Sequence, residues 1–335
     1  MTKKTRYFLF GAVAVLVVGL SIGVVGYYGG LPGFAFSEAP GPDELKYVPK
    51  DAVLVAYANV HDVMVSQFRQ RFREFEGEAG APKGQQEIKD QLGIDVENDI
   101  DHVVACLLAG GGSPEKSGLV IANGRFDQPR IEGFVRQHGG VAETYKGRQI
   151  YTHPGKEGGA SLMGLAFIQG DLVAMGSVPA IKTALDVDAS GSSVVASPEV
   201  MTLVRKVEDG NVWAVGRFDA LANSAKLPEQ VASQIPAITW FSASGRVNGG
   251  VSGILSVEAR DDEAAKNLRD VAAGFMALAR LQAGSKPELQ SLINAVQLGG
   301  EAKTVSLSFN VPPEVFDALK AMGTALKKQA ADPEK

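Results

Sequence analysis

The segment ITWFSASGRVNGGVSGILSVEA, residues 238–259, decides the fold. Two runs rich in β-branched, aromatic and small residues flank Asn248-Gly249, and both of those residues tolerate the positive φ of a type I′ turn. An antiparallel hairpin is the predicted result, and the same grammar recurs along the chain. DHVVACLLAG (101–110) and SGLVIANGRF (117–126) read as a hairpin with a long tip. LMGLAFI (162–168) and LVAMGS (172–177) read as another across Gln169-Gly170-Asp171, and a small one turns at Lys146-Gly147. KTVSLSFNV (303–311) pairs back across Gly299-Gly300.

Helical periods fall between these pairs. After the strand AVLVAYANV (52–60), Val65, Phe68, Phe72 and Phe75 recur at helical spacing and predict one apolar stripe. Asp127 is a good N-cap for a helix with Ile131, Phe134 and Val135 inward, stopped by Gly139-Gly140. Ser177 and Ser197, each just ahead of a proline, open two more helices. In the second half NVWAVGRF (211–218) leads to a helix near 228–234. A long helix from Asp262 is predicted to place Leu268, Val271, Ala272, Phe275, Leu278 and Ala279 on its inner face. A last helix after Pro312 carries Val315, Phe316, Leu319 and Met322.

Strands in hairpins with one-sided helices between them predict an α+β fold, an antiparallel sheet with helices on one face. The order of elements is the same in both halves, β-α-ββ-α-ββ-α, which predicts an internal duplication. The expected layout is a cytoplasmic stub and transmembrane anchor at 1–28 and a linker at 29–42. Repeats at 43–190 and 191–328 follow, with a disordered tail at 329–335.

The anchor expectation rests on Tyr7 to Tyr28, 22 residues without a charge. As a helix this run reaches about 33 Å, enough for a hydrocarbon core of about 30 Å. Lys3, Lys4 and Arg6 precede it and Glu38, Asp43 and Glu44 follow, so the N-terminus is expected inside and residues 29–335 outside the cytoplasmic membrane. The run is longer than the core of a cleaved signal peptide, so the expected partner of residues 7–28 is the lipid bilayer itself. The remainder of the chain carries 30 basic against 38 acidic residues, which gives no bulk attraction to nucleic acid or anionic lipid, so either partner would require a local basic patch. A lone cysteine, Cys106, permits no internal disulfide and reads as a buried apolar residue.

The anchor, Pro49-Lys50-Asp51 ahead of the first strand, LGIDVENDID (92–101) and the two-half layout together resemble an uncharacterised family of membrane-anchored extracytoplasmic bacterial proteins, a domain of unknown function. The resemblance implies that location and fold, and it supplies no catalytic residues.

Candidate chemistry is sparse. Asp95, Glu97, Asp99 and Asp101 alternate, and in an extended segment they would present one row of carboxylates to a hard cation. Asp186 and Asp188 begin a stretch like half a calcium loop, but Ser197 stands where the bidentate carboxylate belongs. Arg69, Arg71 and Arg73 form the one local basic cluster, a candidate site for an acidic partner or lipid headgroups. No catalytic constellation, cofactor motif or metal-ligand spacing among the histidines is visible. The expected function is therefore a membrane-tethered binding or scaffold module that meets an envelope protein, polymer or lipid. One alternative is a carrier holding an apolar ligand in a sheet-lined cavity. The other is a hydrolase with dispersed residues, for which His102, His153 and the carboxylates at 95–101 are the first candidates.

Overall fold

The computed structural model describes residues 41–70, 83–109, 117–152, 163–218, 238–283 and 287–314. The apolar run at 7–28, the helix expected near 228–234 and the residues after 314 lie outside these. No helix among the described residues is long and apolar enough to cross a membrane.

The strands are β1 (Ala52–Asn59), β2 (Ile100–Leu108), β3 (Gly118–Gly124), β4 (Val141–Tyr145), β5 (Arg148–Thr152) and β6 (Met163–Gln169) in the first half, with β7 (Leu172–Ser177) closing it. The second half supplies β8 (Val212–Arg217), β9 (Ile238–Val247), β10 (Val251–Ala259), β11 (Val296–Gly299) and β12 (Thr304–Val311). All twelve form one antiparallel sheet in the order β11-β12-β10-β9-β8-β1-β2-β3-β7-β6-β5-β4. The fold is α+β, as expected. The order β1-β2-β3-β7-β6 of one half reappears as β8-β9-β10-β12-β11 in the other, with the β4–β5 hairpin added at one edge. The halves meet where β1 pairs antiparallel with β8, centred on Ala56 opposite Ala214.

Among the described residues, seven whole helices accompany the sheet: α1 (Val60–Val65), α2 (Lys83–Leu92), α3 (Gln128–Gln137), α4 (Val178–Ser190), α5 (Pro198–Val207), α6 (Asp262–Ala283) and α7 (Pro287–Asn294). A 3-10 turn, Asp43–Tyr47, precedes β1. Side chains that close the chain reversals do so as expected. Asp127 accepts the Arg130 N–H, Ser177 the Ala180 N–H and Ser197 the Val200 N–H. Lys146 and Gly147 both take positive φ, 49° and 79°.

Helices on one face is the expectation that fails. Val55, Val104, Leu119, Ile121, Ala174, Trp213 and Val215 point to one side of the sheet, where α4, α5 and the turn at 43–47 cover them. On the opposite side α1 covers Ala58, Val103 and Ala105, α3 packs Ile131 on Phe167 and Val173, and α6 packs Ala265 near Val257 and Val305. The central strands are buried on both sides, which is why AVLVA, VVACLL and GLVIA read as continuous apolar runs rather than alternations.

Two local expectations also change. The stripe through Val65 is broken because Ser66 adopts an extended conformation, ending α1. Its hydroxyl donates to the Val63 carbonyl and accepts from the Arg69 N–H, so a new helical piece starts at 67. Val65 is exposed, while Val60, Val63, Met64 and Phe68 face the sheet. Phe72 and Phe75 lie outside the described residues. At Asn248-Gly249 neither residue has positive φ. The turn spans 248–250 and is held from outside, the Phe68 N–H donating to the Asn248 carbonyl at 2.7 Å. Tertiary contact here overrides the local turn preference.

Candidate functional site

Where the 43–47 turn crosses the sheet, four polar or aromatic side chains converge. Glu44 is 3% exposed, and its Oε1 lies 3.0 Å from Nδ1 of His102 on β2. The two are close enough for an ion pair but are not aligned as a hydrogen bond, and Glu44 Oε2 is buried with no hydrogen-bond partner. Tyr57 of β1 stands beside His102, ring centres 6.0 Å apart, and stacks on Trp213 of β8 at 5.4 Å. The neighbouring Glu44 carboxylate holds the imidazole above its usual pKa range. Burial first, then Glu44 and Asp62, push the Tyr57 hydroxyl up to about 12. Such a cluster can hold a proton between histidine and carboxylate. It sits at a packed turn–sheet junction, and its geometry is that of a clamp between the 43–47 turn and the sheet.

The remaining candidate side chains are engaged elsewhere. Asp95 to Asp99 form a turn rather than an extended row, since the Asp99 N–H donates to the Asp95 carbonyl at 2.7 Å. Asp95 pairs with Lys89 at 2.7 Å, Glu97 with Arg69 and Asp99 with Arg125, both at 3.3 Å. Only Asp101 is in a strand. Asp186 and Asp188 belong to α4, which runs on to Ser190 and ends at Gly191 with φ 68°. Asp186 accepts from Tyr145 and pairs with Lys146 at 2.6 Å. Among the described residues no three metal-ligating side chains come together. Arg71, Arg73 and His153 lie outside the described residues. Cys106 is buried, and that burial pushes its thiol pKa up.

A cavity of about 40 Å³ lies under α1, lined by Ala58, Val60, Val63, Met64, Phe68, Val212 and Val247. It is entirely apolar and far smaller than the several hundred Å³ that a carried ligand needs.

The surface feature that stands out is α6, which the sequence misplaces by about a quarter turn. Asp261 caps it through the Ala264 N–H, and Leu268 packs against the sheet with Ala265. Beyond that point the inward positions are Ala272, Met276, Ala279 and Ala283, mostly small. The large side chains face outward: Val271 is 45% exposed, Phe275 67%, Leu278 49% and Leu281 78%. An amphipathic period alone cannot tell an inward apolar stripe from an outward one. The signal that could have separated them is the alanine column at 265, 272, 279 and 283, which suits close approach to a neighbouring surface.

Comparison with known proteins adds a family and little else. The family model described as protein of unknown function (DUF3352) matches residues 9–250, so the chain belongs to that family. The match stops before α6. The comparison with curated proteins finds no match. Among solved structures, one titled "Structure of crystal form I of TP0453" aligns over 83% of this chain and 97% of its own, at 11% identity and a TM-score of 0.42.

Proposed function

We propose that this member of a family without an assigned function is a membrane-tethered, extracytoplasmic binding or scaffold module whose binding surface is the outward face of α6. One observation carries the reading: a helix that turns alanines inward and leaves four large apolar side chains in solvent. Water-facing apolar groups clustered on one element cost solubility, and contiguous patches of this kind mark interaction sites. Residues 7–28 are the tether, staying on the mature protein with the N-terminus in the cytoplasm, and 29–42 the linker. The Glu44–His102 clamp fits that arrangement, since it fastens the sheet to the 43–47 turn that follows the linker. Residues 43–190 and 191–328 are two copies of one unit. The repeated strand order, the two-fold-like pairing of β1 with β8 and the placing of α3 and α6 on the same face support this.

The test is photo-crosslinking of the full chain in native membranes. A photoreactive phenylalanine analogue at 275 is expected to form adducts that the same residue at 266, on the charged side of α6, does not. Equal yields at the two positions would defeat the assignment of the surface.

A further inference from the structure

We infer that the occupant of the outward face of α6 is the bilayer surface, with the helix lying along the boundary between headgroups and acyl chains. The inference rests on the tethered reading above and specifies what the tether brings together. Three features point to lipid rather than to a protein partner.

The first is the chemistry of the face. From Val271 to Ala283 the helix carries one charge, Arg280, and one amide, Gln282. A protein interface normally makes about one hydrogen bond per 100–200 Å². A face of valine, phenylalanine and two leucines, interleaved with Ala273, Gly274 and Ala277, offers little for directional recognition. It offers apolar area, which is what the interfacial region of a membrane takes up.

The second is where the acid lies. The chain beyond residue 28 has 38 acidic against 30 basic residues, yet the carboxylates of α6, Asp262, Glu263 and Asp270, all precede Val271. The apolar stretch can approach a headgroup layer without bringing its own carboxylates into the acyl boundary.

The third is reach. Residues 29–42 span at most about 50 Å when extended. A twelve-stranded sheet with strands about 4.8 Å apart is about 50 Å across. The 43–47 turn lies on the opposite face of the sheet from α6, so the linker has to pass round about half of that width, about 25 Å, which its extended length covers. A tethered surface also needs only weak intrinsic affinity, because the linker fixes a high effective concentration.

The test uses the full chain reconstituted into phosphatidylcholine vesicles with brominated acyl chains. Cys106 is buried, so a polarity-sensitive fluorophore can be placed on Leu278→Cys, and separately on Phe275→Cys and Lys266→Cys, without blocking it. Several-fold quenching at 278 and 275, with little at 266, is the expected result. Unquenched fluorophores at 278 and 275 would overturn the bilayer as occupant. If crosslinks to a protein form at 275 in that case, the binding reading stands and only its partner changes. Equal quenching at all three positions would also overturn the inference, because contact would not be through this face. Loss of residues 7–28 from the mature protein, read by intact mass, would strike the tether itself.

Discussion

Replacing His102 by glutamine should destabilise the domain in a pH-dependent way. The variant leaves Glu44, a carboxylate 3% exposed, without its cation, and Oε2 already has no partner. Breaking a fully buried pair costs about 3–5 kcal/mol. The His102 side chain keeps 31% of its surface in solvent, which screens part of that loss, so about 2 kcal/mol is expected. For a domain of this size each kcal/mol moves Tm by about 2–4 °C, giving a drop of about 4–8 °C. The sign of the pH effect follows from the raised pKa of His102 in the folded state. Its contribution is fully present below the unfolded histidine value of about 6.5 and is lost as pH climbs through the folded value. Melts of the full chain in detergent, followed by tryptophan fluorescence because Trp213 stacks on Tyr57 in this cluster, should show the gap between native and variant shrinking from pH 6 to pH 9. In a Glu44→Gln background the His102→Gln change should cost much less, since no buried charge remains to be stranded. A gap that is flat with pH, or the same cost in both backgrounds, would refute the clamp.

Two further outcomes test the packing. Phe275→Ser and Leu278→Ser should leave Tm within about 1–2 °C of the native chain, because exposed positions away from special features change stability by about 0.5 kcal/mol or less; a large drop would mean that this face is already covered within the domain. Gly253→Ala should destabilise by about 1–3 kcal/mol, since the added Cβ would lie 2.1 Å from the Ser244 carbonyl oxygen and 2.8 Å from the Gly245 Cα across the β9–β10 pair, and an unchanged melt would show that the pair can spread freely.

Much of the architecture is legible in the sequence because its signals are local. The caps at Asp127, Ser177 and Ser197, the Lys146-Gly147 turn and the hairpin order each depend on residues a few positions apart. What escapes is decided at long range. Asn248-Gly249 loses its expected turn type to a hydrogen bond from Phe68, and Val65 is turned out by the break at Ser66. Glu44 and His102 are brought together only by the crossing of the 43–47 turn over β2, and no spacing in the chain announces it. The acidic row at 95–101 shows the same limit, since its alternation suits a strand but Lys89, Arg69 and Arg125 draw three of its members apart. The outward face of α6 is the most instructive case, because both of its apolar stripes satisfy the helical period and only the neighbouring sheet selects the alanines.

The seam between β1 and β8 also sets an order of events during synthesis. Ala56 and its partner Ala214 are 158 positions apart. At about 5–20 residues per second, a ribosome takes roughly 8–32 s to deliver the second strand after the first. Throughout that interval β1 can pair with β2 on one flank, but its other flank, Leu54 to Ala58, has nothing to bond to. The nascent chain therefore presents an apolar strand edge in the middle of what will become its sheet. A holdase or an early neighbour on the same message could capture it there, before the second half arrives to close it.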